Sequence, residues 1–236
     1  MRLLLTLYQM YPHFEQYQNV TFVTLLFMVL LISVPYPVKI PLYFPLKKEN
    51  VMYKECMTKP ARERQRQLEQ GLLSVMLHHN YEDISVSDLC DSLGIPRKSF
   101  YRYFSSKDGA LYALIDHTLL DFVDELFPNG PVMNMETGEA LFRYWLSKKD
   151  LLRALDRNNL SGLLVQRTIE LTISDNRFHP SFLPQSLKPM QDYALLFLVT
   201  GIMSLLVQWE KDNFKATPKE MTIMTAHILN QAAFKK

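Results

Sequence analysis

Residues 85–111 contain two short helical patterns separated by a glycine, and this arrangement constrains the fold more than any other feature of the chain. Ser85 is followed three residues later by Asp88, which is the spacing of a capping box at a helix start. Apolar residues then recur at helical spacing as far as Gly94, which stands where a helix ends in a left-handed conformation. Pro96 suits the first turn of the next helix. The stretch therefore predicts a helix-turn-helix.

The second of these helices combines cations with hydroxyl groups. Phe100 and Phe104 lie four residues apart and form an apolar seam that would face a core. The other positions carry Arg, Lys, Ser and Tyr, whose side chains can contact phosphates and reach base edges in the major groove. A solvated surface is the simpler explanation of any single basic helix. The glycine turn, the shortness of the helix and the aromatic hydroxyls together favour DNA binding.

The segment from Val86 to Leu111 resembles the DNA-binding signature of tetracycline-repressor (TetR) type regulators. The residues that carry the resemblance are Gly94, Ile95, Tyr101, Phe104, Ser106, Lys107, Asp108 and Leu111. The sequence departs from the family pattern at Leu89-Cys90, where Ile-Ala is usual, and at Pro96, which replaces a common Ser. The first change keeps small apolar residues. The second removes a hydroxyl contact but keeps the helix start.

The resemblance implies a surface that binds double-stranded DNA. The residues expected to contact bases and nearby phosphates are Arg97, Lys98, Ser99, Tyr101 and Arg102. Those expected to position phosphates are Ser85, Tyr103 and Lys107. The resemblance also implies a cytoplasmic, nucleoid-associated repressor that forms a homodimer through its last two helices. Such a dimer would read a palindromic operator and be released by a small-molecule effector of unknown identity.

The composition is that of a packed globular protein without a strong overall charge. The net charge is only +2, so DNA binding has to come from a local basic patch. The hydrophobic content of 48% is ample for a core. The two cysteines, Cys56 and Cys90, are far apart, which fits a reducing compartment and makes Cys90 a small core residue.

Residues 1–51 differ from the rest of the chain. Residues 20–34 are almost wholly apolar, and several prolines follow them. As a helix, 15 residues span roughly 22 Å, which is short of the roughly 30 Å thickness of the hydrocarbon layer. Three interpretations stay open: a membrane anchor, a segment packed on the regulator body, or upstream sequence that is not translated. Any membrane contact would involve only residues 20–34.

The remainder of the chain predicts helices alone. The first begins after Thr58 with Pro60 in its first turn, and Ser105 with Asp108 is expected to cap the helix over 107–127. The further helices are predicted over 137–147, 149–158, 161–174, 190–212 and 218–234. The fold class is therefore all-α, with a three-helix DNA-binding domain over 52–106 and a helical ligand-binding and dimerisation domain over 107–236. The strongly apolar residues 195–207 are expected either at the centre of this domain or at a subunit interface.

Catalytic and metal-binding patterns do not occur in the sequence. The six histidines include no His-x-x-x-His pair, and neither a glycine-rich phosphate loop nor a Gly-x-Ser-x-Gly elbow is present. We therefore expect no catalytic residues, metal or cofactor, and no enzyme. The large or polar residues that could line an effector pocket are Trp145, Arg167, Glu170, Tyr193 and Trp209. The alternative function is a membrane-tethered helical adaptor that acts mainly through protein partners.

Overall fold

The computed structural model describes residues 52–128, 130, 134–174 and 191–232. Within these ranges the chain forms nine α-helices, and the strand-type pairing there is limited to one antiparallel bridge between Tyr53 and Phe104. The helices are α1 Lys59–Met76, α2 Val86–Ser92, α3 Arg97–Tyr101, α4 Lys107–Leu126, α5 Met135–Ser147, α6 Lys149–Arg157, α7 Ser161–Ser174, α8 Gln191–Lys211 and α9 Pro218–Ala232. A 3-10 turn, Tyr81–Asp83, precedes α2. The all-α prediction is confirmed, whereas the predictions for residues 1–51 lie outside the described residues.

Helices α1 to α3 pack around the apolar residues that the sequence pattern selects. Four of these side chains are fully buried, namely Leu72, Met76, Leu89 and Phe100. The side chain of Cys90 is buried as well. The capping box at the start of α2 is present in both directions. Gly94 has φ 61°, as a left-handed helix end requires. Pro96 is the N-cap of α3 rather than a residue of its first turn, because the helix begins at Arg97.

Helix α4 is the central element and packs against α1, α5 and α7. Its N-cap is Ser106, whose hydroxyl accepts from the Gly109 N–H at 3.1 Å. The predicted cap at Ser105 is therefore wrong by one residue. The Ser105 hydroxyl instead donates to the Met52 carbonyl at 2.8 Å, because the chain before α1 returns to lie beside this turn.

Helices α5 to α9 form the body, and their bounds lie within two residues of the predicted ones. Helix α5 begins earlier than expected because the Asn134 side chain caps it by accepting from the Thr137 N–H at 2.8 Å. Helix α9 packs on α5, and α8 packs on α6 and α7. The rings of Phe142 and Trp209 meet edge to face, with centroids 5.7 Å apart, and join α5 to α8.

Two side chains at the end of α6 tie the body to the first helix. Arg157 donates to the carbonyls of Leu77 and His78, and the Asn158 amide donates to the Met76 carbonyl at 3.3 Å. The Asn158 side-chain oxygen also accepts from the Tyr81 N–H at 2.6 Å. The Met76 carbonyl at the end of α1 and the two carbonyls that follow it thus accept hydrogen bonds from the side chains of Arg157 and Asn158.

Helix α8 is long and apolar enough to cross a membrane by those two criteria alone. Met203, Leu206 and Trp209 are buried in the core that the body helices share, and Leu195 is also buried. However, only 22% of its apolar window is buried within the single chain. Residues 195–207 were expected either at the centre of the domain or at a subunit interface. Within the described residues, packing in the domain buries only one side of this helix.

Candidate nucleic-acid interface

Helix α3 separates a buried apolar edge from an exposed polar face. Phe100 is 0% exposed and Phe104 is 1% exposed, whereas the neighbouring Tyr101 is 51% exposed. The side chains of Arg97, Lys98 and Arg102 are also exposed, and those of Ser99 and Tyr103 are half-buried. The two phenylalanine rings pack at a centroid distance of 5.1 Å and fix the rotation of α3 about its own axis. All five residues expected to contact bases or nearby phosphates are therefore on one short helix or its C-cap, with an exposed basic face.

Ser85 lies at the N-terminus of α2, where its hydroxyl has a capping role. It accepts from the Asp88 N–H at 3.1 Å and donates to the Asp88 carboxylate. The hydrogen bonds from the Ser85 hydroxyl and N–H hold the pKa of Asp88 below its usual range. The carboxylate is therefore ionised at neutral pH. A phosphate contact by Ser85 stays a prediction, and the Ser85 hydroxyl proton would have to leave Asp88 to make it.

Lys107 lies at the start of α4 and is half-buried. Its ammonium donates to the Tyr81 carbonyl and lies 4.2 Å from the centre of the Tyr81 ring. The Tyr81 hydroxyl donates to Asp108 at 2.6 Å, and burial together with this bond raises the Tyr81 pKa well above its ordinary value. Lys107 thus stabilises the three-helix unit from within, and its contact with a phosphate stays a prediction.

Sequence periodicity does not reveal the segment that precedes α1, yet it borders the same surface. Residues 52–57, which we call the strap, pair with the chain after α3 through the Tyr53–Phe104 bridge. An open cleft of about 440 Å³ separates the strap and the start of α1 from the end of α3. Lys54 and Arg102 both line this cleft. Lys54 is therefore a further exposed cation beside α3, and its only sequence signal is its charge.

The five residues expected to line an effector pocket are in different environments. Trp145 is 0% exposed, and its indole N–H has no hydrogen-bond partner among the described residues, whereas the Trp209 N–H donates to the Ala216 carbonyl at 2.8 Å. Arg167 and Glu170 form an ion pair with each other. Tyr193 is 70% exposed on α8. Within the described residues, Arg167 and Glu170 are the pair of this set that the structure brings into contact.

A second cleft, of about 930 Å³, lies between the end of α8 and the start of α9. Trp209 is the member of the predicted effector set that lines it, together with apolar residues such as Leu205, Met221 and Met224. The part of the chain that the structure describes contains no group of three or more His, Cys, Asp or Glu side chains placed to hold a metal ion.

Comparisons with known proteins place the helix-turn-helix in a family. The family model described as bacterial regulatory proteins, tetR family, matches residues 72–114. No curated protein matches the sequence. Among solved structures, the fatty acid degradation regulator FadR from Bacillus halodurans is similar, with 16% sequence identity and a TM-score of 0.51 over 73% of this chain and 97% of that chain.

A tetR-family transcriptional regulator from Streptomyces coelicolor is also similar, with 18% identity and a TM-score of 0.46 over 70% of this chain and 78% of that chain. The matched residues 72–114 run from the last five residues of α1 into α4 and contain all of α2 and α3. Residues 72–114 of this chain are therefore similar to the DNA-binding segment of the tetR family of bacterial regulatory proteins.

Proposed function

We propose that this regulator is a repressor that binds a palindromic operator as a homodimer and releases it when a small-molecule effector binds. The observation that carries the proposal is the division of α3 into buried phenylalanines and an exposed face of cations and hydroxyls. Arg97 and Arg102 provide the planar donors that suit guanine edges and phosphates. Tyr101 adds a half-exposed aromatic hydroxyl between them.

The proposed dimer is supported by apolar side chains on the last two helices. Four of the eight large apolar residues that are exposed in the described chain lie there, namely Tyr193, Phe197, Ile223 and Ile228. Exposed apolar surface of this kind is stabilised when a second copy covers it. A two-fold axis through α8 and α9 would present two copies of α3 to half-sites about one DNA turn, roughly 34 Å, apart.

The proposed effector site belongs to the regulatory domain, which we assign to residues 107–236, with residues 52–106 as the DNA-binding domain. Helix α4 starts at the recognition unit and runs into the body, so a change in its tilt changes the distance between two copies of α3. An effector shifts this equilibrium only if it binds the DNA-incompetent arrangement more tightly. The candidates for effector contact remain Trp145, Arg167, Glu170, Tyr193 and Trp209.

The test is selection of bound duplexes from a random DNA library with the full-length chain, followed by titration of the enriched sequence at several salt concentrations. We expect an inverted repeat whose half-site centres are about 10 base pairs apart, or a multiple of that spacing. We also expect the logarithm of the affinity to fall linearly with the logarithm of the salt concentration. Enrichment of a single half-site would refute the dimer, and no enrichment over several rounds would refute operator recognition.

A further inference from the structure

Asp116 is a carboxylate on α4 that is 3% exposed and binds donors from two distant parts of the chain. Its Oδ2 atom accepts from the Tyr53 hydroxyl of the strap at 2.7 Å. Arg167 of α7 donates through Nε to Oδ1 at 2.7 Å and through Nη2 to Oδ2 at 2.6 Å. Such a two-point guanidinium contact fixes direction as well as distance. One buried side chain therefore joins the strap to the body.

The Tyr53 ring is held on its other side by a second polar pair. It packs edge-on against His117, with ring centroids 5.4 Å apart. His117 donates through Nδ1 to Glu69 of α1 at 2.8 Å, and Glu69 is 0% exposed. Burial, followed by the nearby charge of Asp116, raises the pKa of the Tyr53 hydroxyl well above its ordinary value. The hydroxyl is therefore a protonated donor throughout the physiological pH range.

The strap is bound to the residues that directly follow α3. The Lys54 N–H donates to the Tyr103 carbonyl at 2.9 Å, and the Ser105 N–H donates to the Met52 carbonyl at 3.0 Å. These two bonds flank Phe104, which is buried and belongs to the apolar edge of the recognition segment. A shift of the strap is consequently transmitted to the C-terminal end of α3.

We propose that Tyr53 is a positioning residue for the recognition helix α3, and that Asp116 makes this position depend on Arg167 in the body. A displacement of α7 relative to α4 separates Arg167 from Asp116 and leaves a buried carboxylate without its cation. The carboxylate then reorients, and the hydrogen bond that holds Tyr53 of the strap to Asp116 is lost. The inference rests on the proposed function because it takes α3 as the helix that reads DNA. Tyr53, Asp116 and Arg167 act through the strap and not by touching DNA.

The test uses two conservative variants of the full-length chain, Tyr53→Phe and Arg167→Lys, and their combination. Tyr53→Phe removes one hydroxyl and keeps the ring, whereas Arg167→Lys keeps the charge and removes the planar fork. Tyr144→Phe is the matched control, because it removes another buried tyrosine hydroxyl that donates to α4, at the Thr118 carbonyl, 2.7 Å away. The measurements are affinity for the selected duplex and hydrogen–deuterium exchange of peptides covering residues 52–57 and 103–106.

We expect Tyr53→Phe to weaken binding about fivefold or more, the lower end of ordinary coupling between sites, and to speed exchange at residues 103–106. Arg167→Lys should act in the same direction. The two effects should not add in the double variant, because both pass through Asp116. Tyr144→Phe should change neither measurement, although we expect it to lower stability about as much as Tyr53→Phe does, because each variant loses one buried hydrogen bond. A purely structural role of Tyr53 would lower stability and leave the affinity of the folded protein unchanged.

Affinity and exchange equal to those of the unmodified chain in Tyr53→Phe would overturn the inference while leaving the proposed function intact. Additive effects of Tyr53→Phe and Arg167→Lys would overturn the coupling through Asp116. If the unmodified chain selects no DNA sequence, the proposed function fails and the exchange measurement decides alone. Faster exchange at residues 103–106 in both variants would then support the positioning role, and unchanged exchange would refute it.

Discussion

Phe100 and Tyr101 are adjacent in the chain and differ completely in their surroundings. Phe100 is 0% exposed in the core of the three-helix unit, while Tyr101 is 51% exposed. Because adjacent side chains of a helix point about 100° apart, α3 can pack into the core through one face and expose another face to a ligand. Mutations on the exposed side should therefore change DNA binding without changing the fold.

Arg97→Ala and Tyr101→Ala should each weaken binding to the selected operator by about 1–3 kcal/mol, the range of a good base contact. Because both side chains are exposed, the free energy of unfolding should stay within about 0.5 kcal/mol of that of the unmodified chain. Fluorescence anisotropy and urea unfolding measure the two quantities. Lys149→Ala, an exposed cation at the start of α6, is the control and should change neither. Loss of fold in Arg97→Ala would show that this residue belongs to the core.

Gly109 shows how closely the strap approaches α4. A Cβ atom at this position would lie 2.2 Å from the carbonyl oxygen of Met52, which is backbone and cannot rotate away. Gly109→Ala should therefore destabilise the protein by about 1–3 kcal/mol, as overpacking does. Gly162→Ala is the matched control, because a Cβ atom there meets no atom of the described residues within 4 Å. We expect this control to be neutral or stabilising by up to about 1 kcal/mol in urea unfolding. Equal stabilities of the two variants would mean that the strap does not lie against α4.

At the scale of the element, short helices depend on their ends more than long ones do. Helix α2 has seven residues, and its first turn is closed by the reciprocal bonds of Ser85 and Asp88. Helix α3 has five residues and no side-chain cap, so its position depends on α2, on the turn at Gly94 and on the strap. The recognition helix is thus held by its neighbours and not by its own helical propensity.

Ser85→Ala should destabilise the protein by about 1 kcal/mol, the usual effect of losing an N-cap hydroxyl. The measurement is urea unfolding at neutral pH. Ser87→Ala, inside the same helix, is the control and should have a smaller effect, because Ala has the higher helix propensity. If Ser85→Ala leaves stability unchanged but weakens operator binding, the phosphate contact is the more important role of Ser85.

The same cap should make stability depend on pH in a defined direction. The pKa of Asp88 is lowered in the folded protein by its hydrogen bonds to Ser85, so this carboxylate stabilises the fold above its unfolded pKa of about 3.9. The contribution is lost as the pH falls through the lower, folded pKa. The stability difference between the unmodified chain and Asp88→Asn should therefore shrink as the pH falls from about 5 to about 1. Urea unfolding of both proteins at a series of pH values measures this difference. A difference that stays constant with pH would show that the capping carboxylate is not its source.

At the scale of the whole molecule, the described part of the body exposes large apolar side chains on α8 and α9. Their proposed burial in a homodimer also sets the distance between two recognition helices. A variant that changes the oligomeric state should therefore also change the operator spacing that the protein selects.

Phe197→Glu and Ile228→Glu should dissociate the dimer, because each would place a charge within the proposed apolar interface. Sedimentation velocity should show a monomer, while circular dichroism shows unchanged helix content. Ile173→Glu on α7 is the control, since this residue is also apolar and 39% exposed but lies outside α8 and α9. A dimer that survives both substitutions would move the interface to another face.

The amino-acid sequence alone was sufficient to predict the helices, the capping box at Ser85, the left-handed turn at Gly94 and the buried edge of α3. These features depend on residues within one or two helical turns of each other, so local spacing contains the information. The ion pair of Asp116 with Arg167 and the bond of Tyr53 to Asp116 join residues that are 51 and 63 positions apart. Local spacing contains no information about such contacts. From the sequence, Arg167 and Glu170 were therefore predicted as effector contacts, and the role of Asp116 was not predicted. Only the tertiary structure decided where the strap lies and which buried charges meet, because the packing of α1, α4 and α7 brings those residues together.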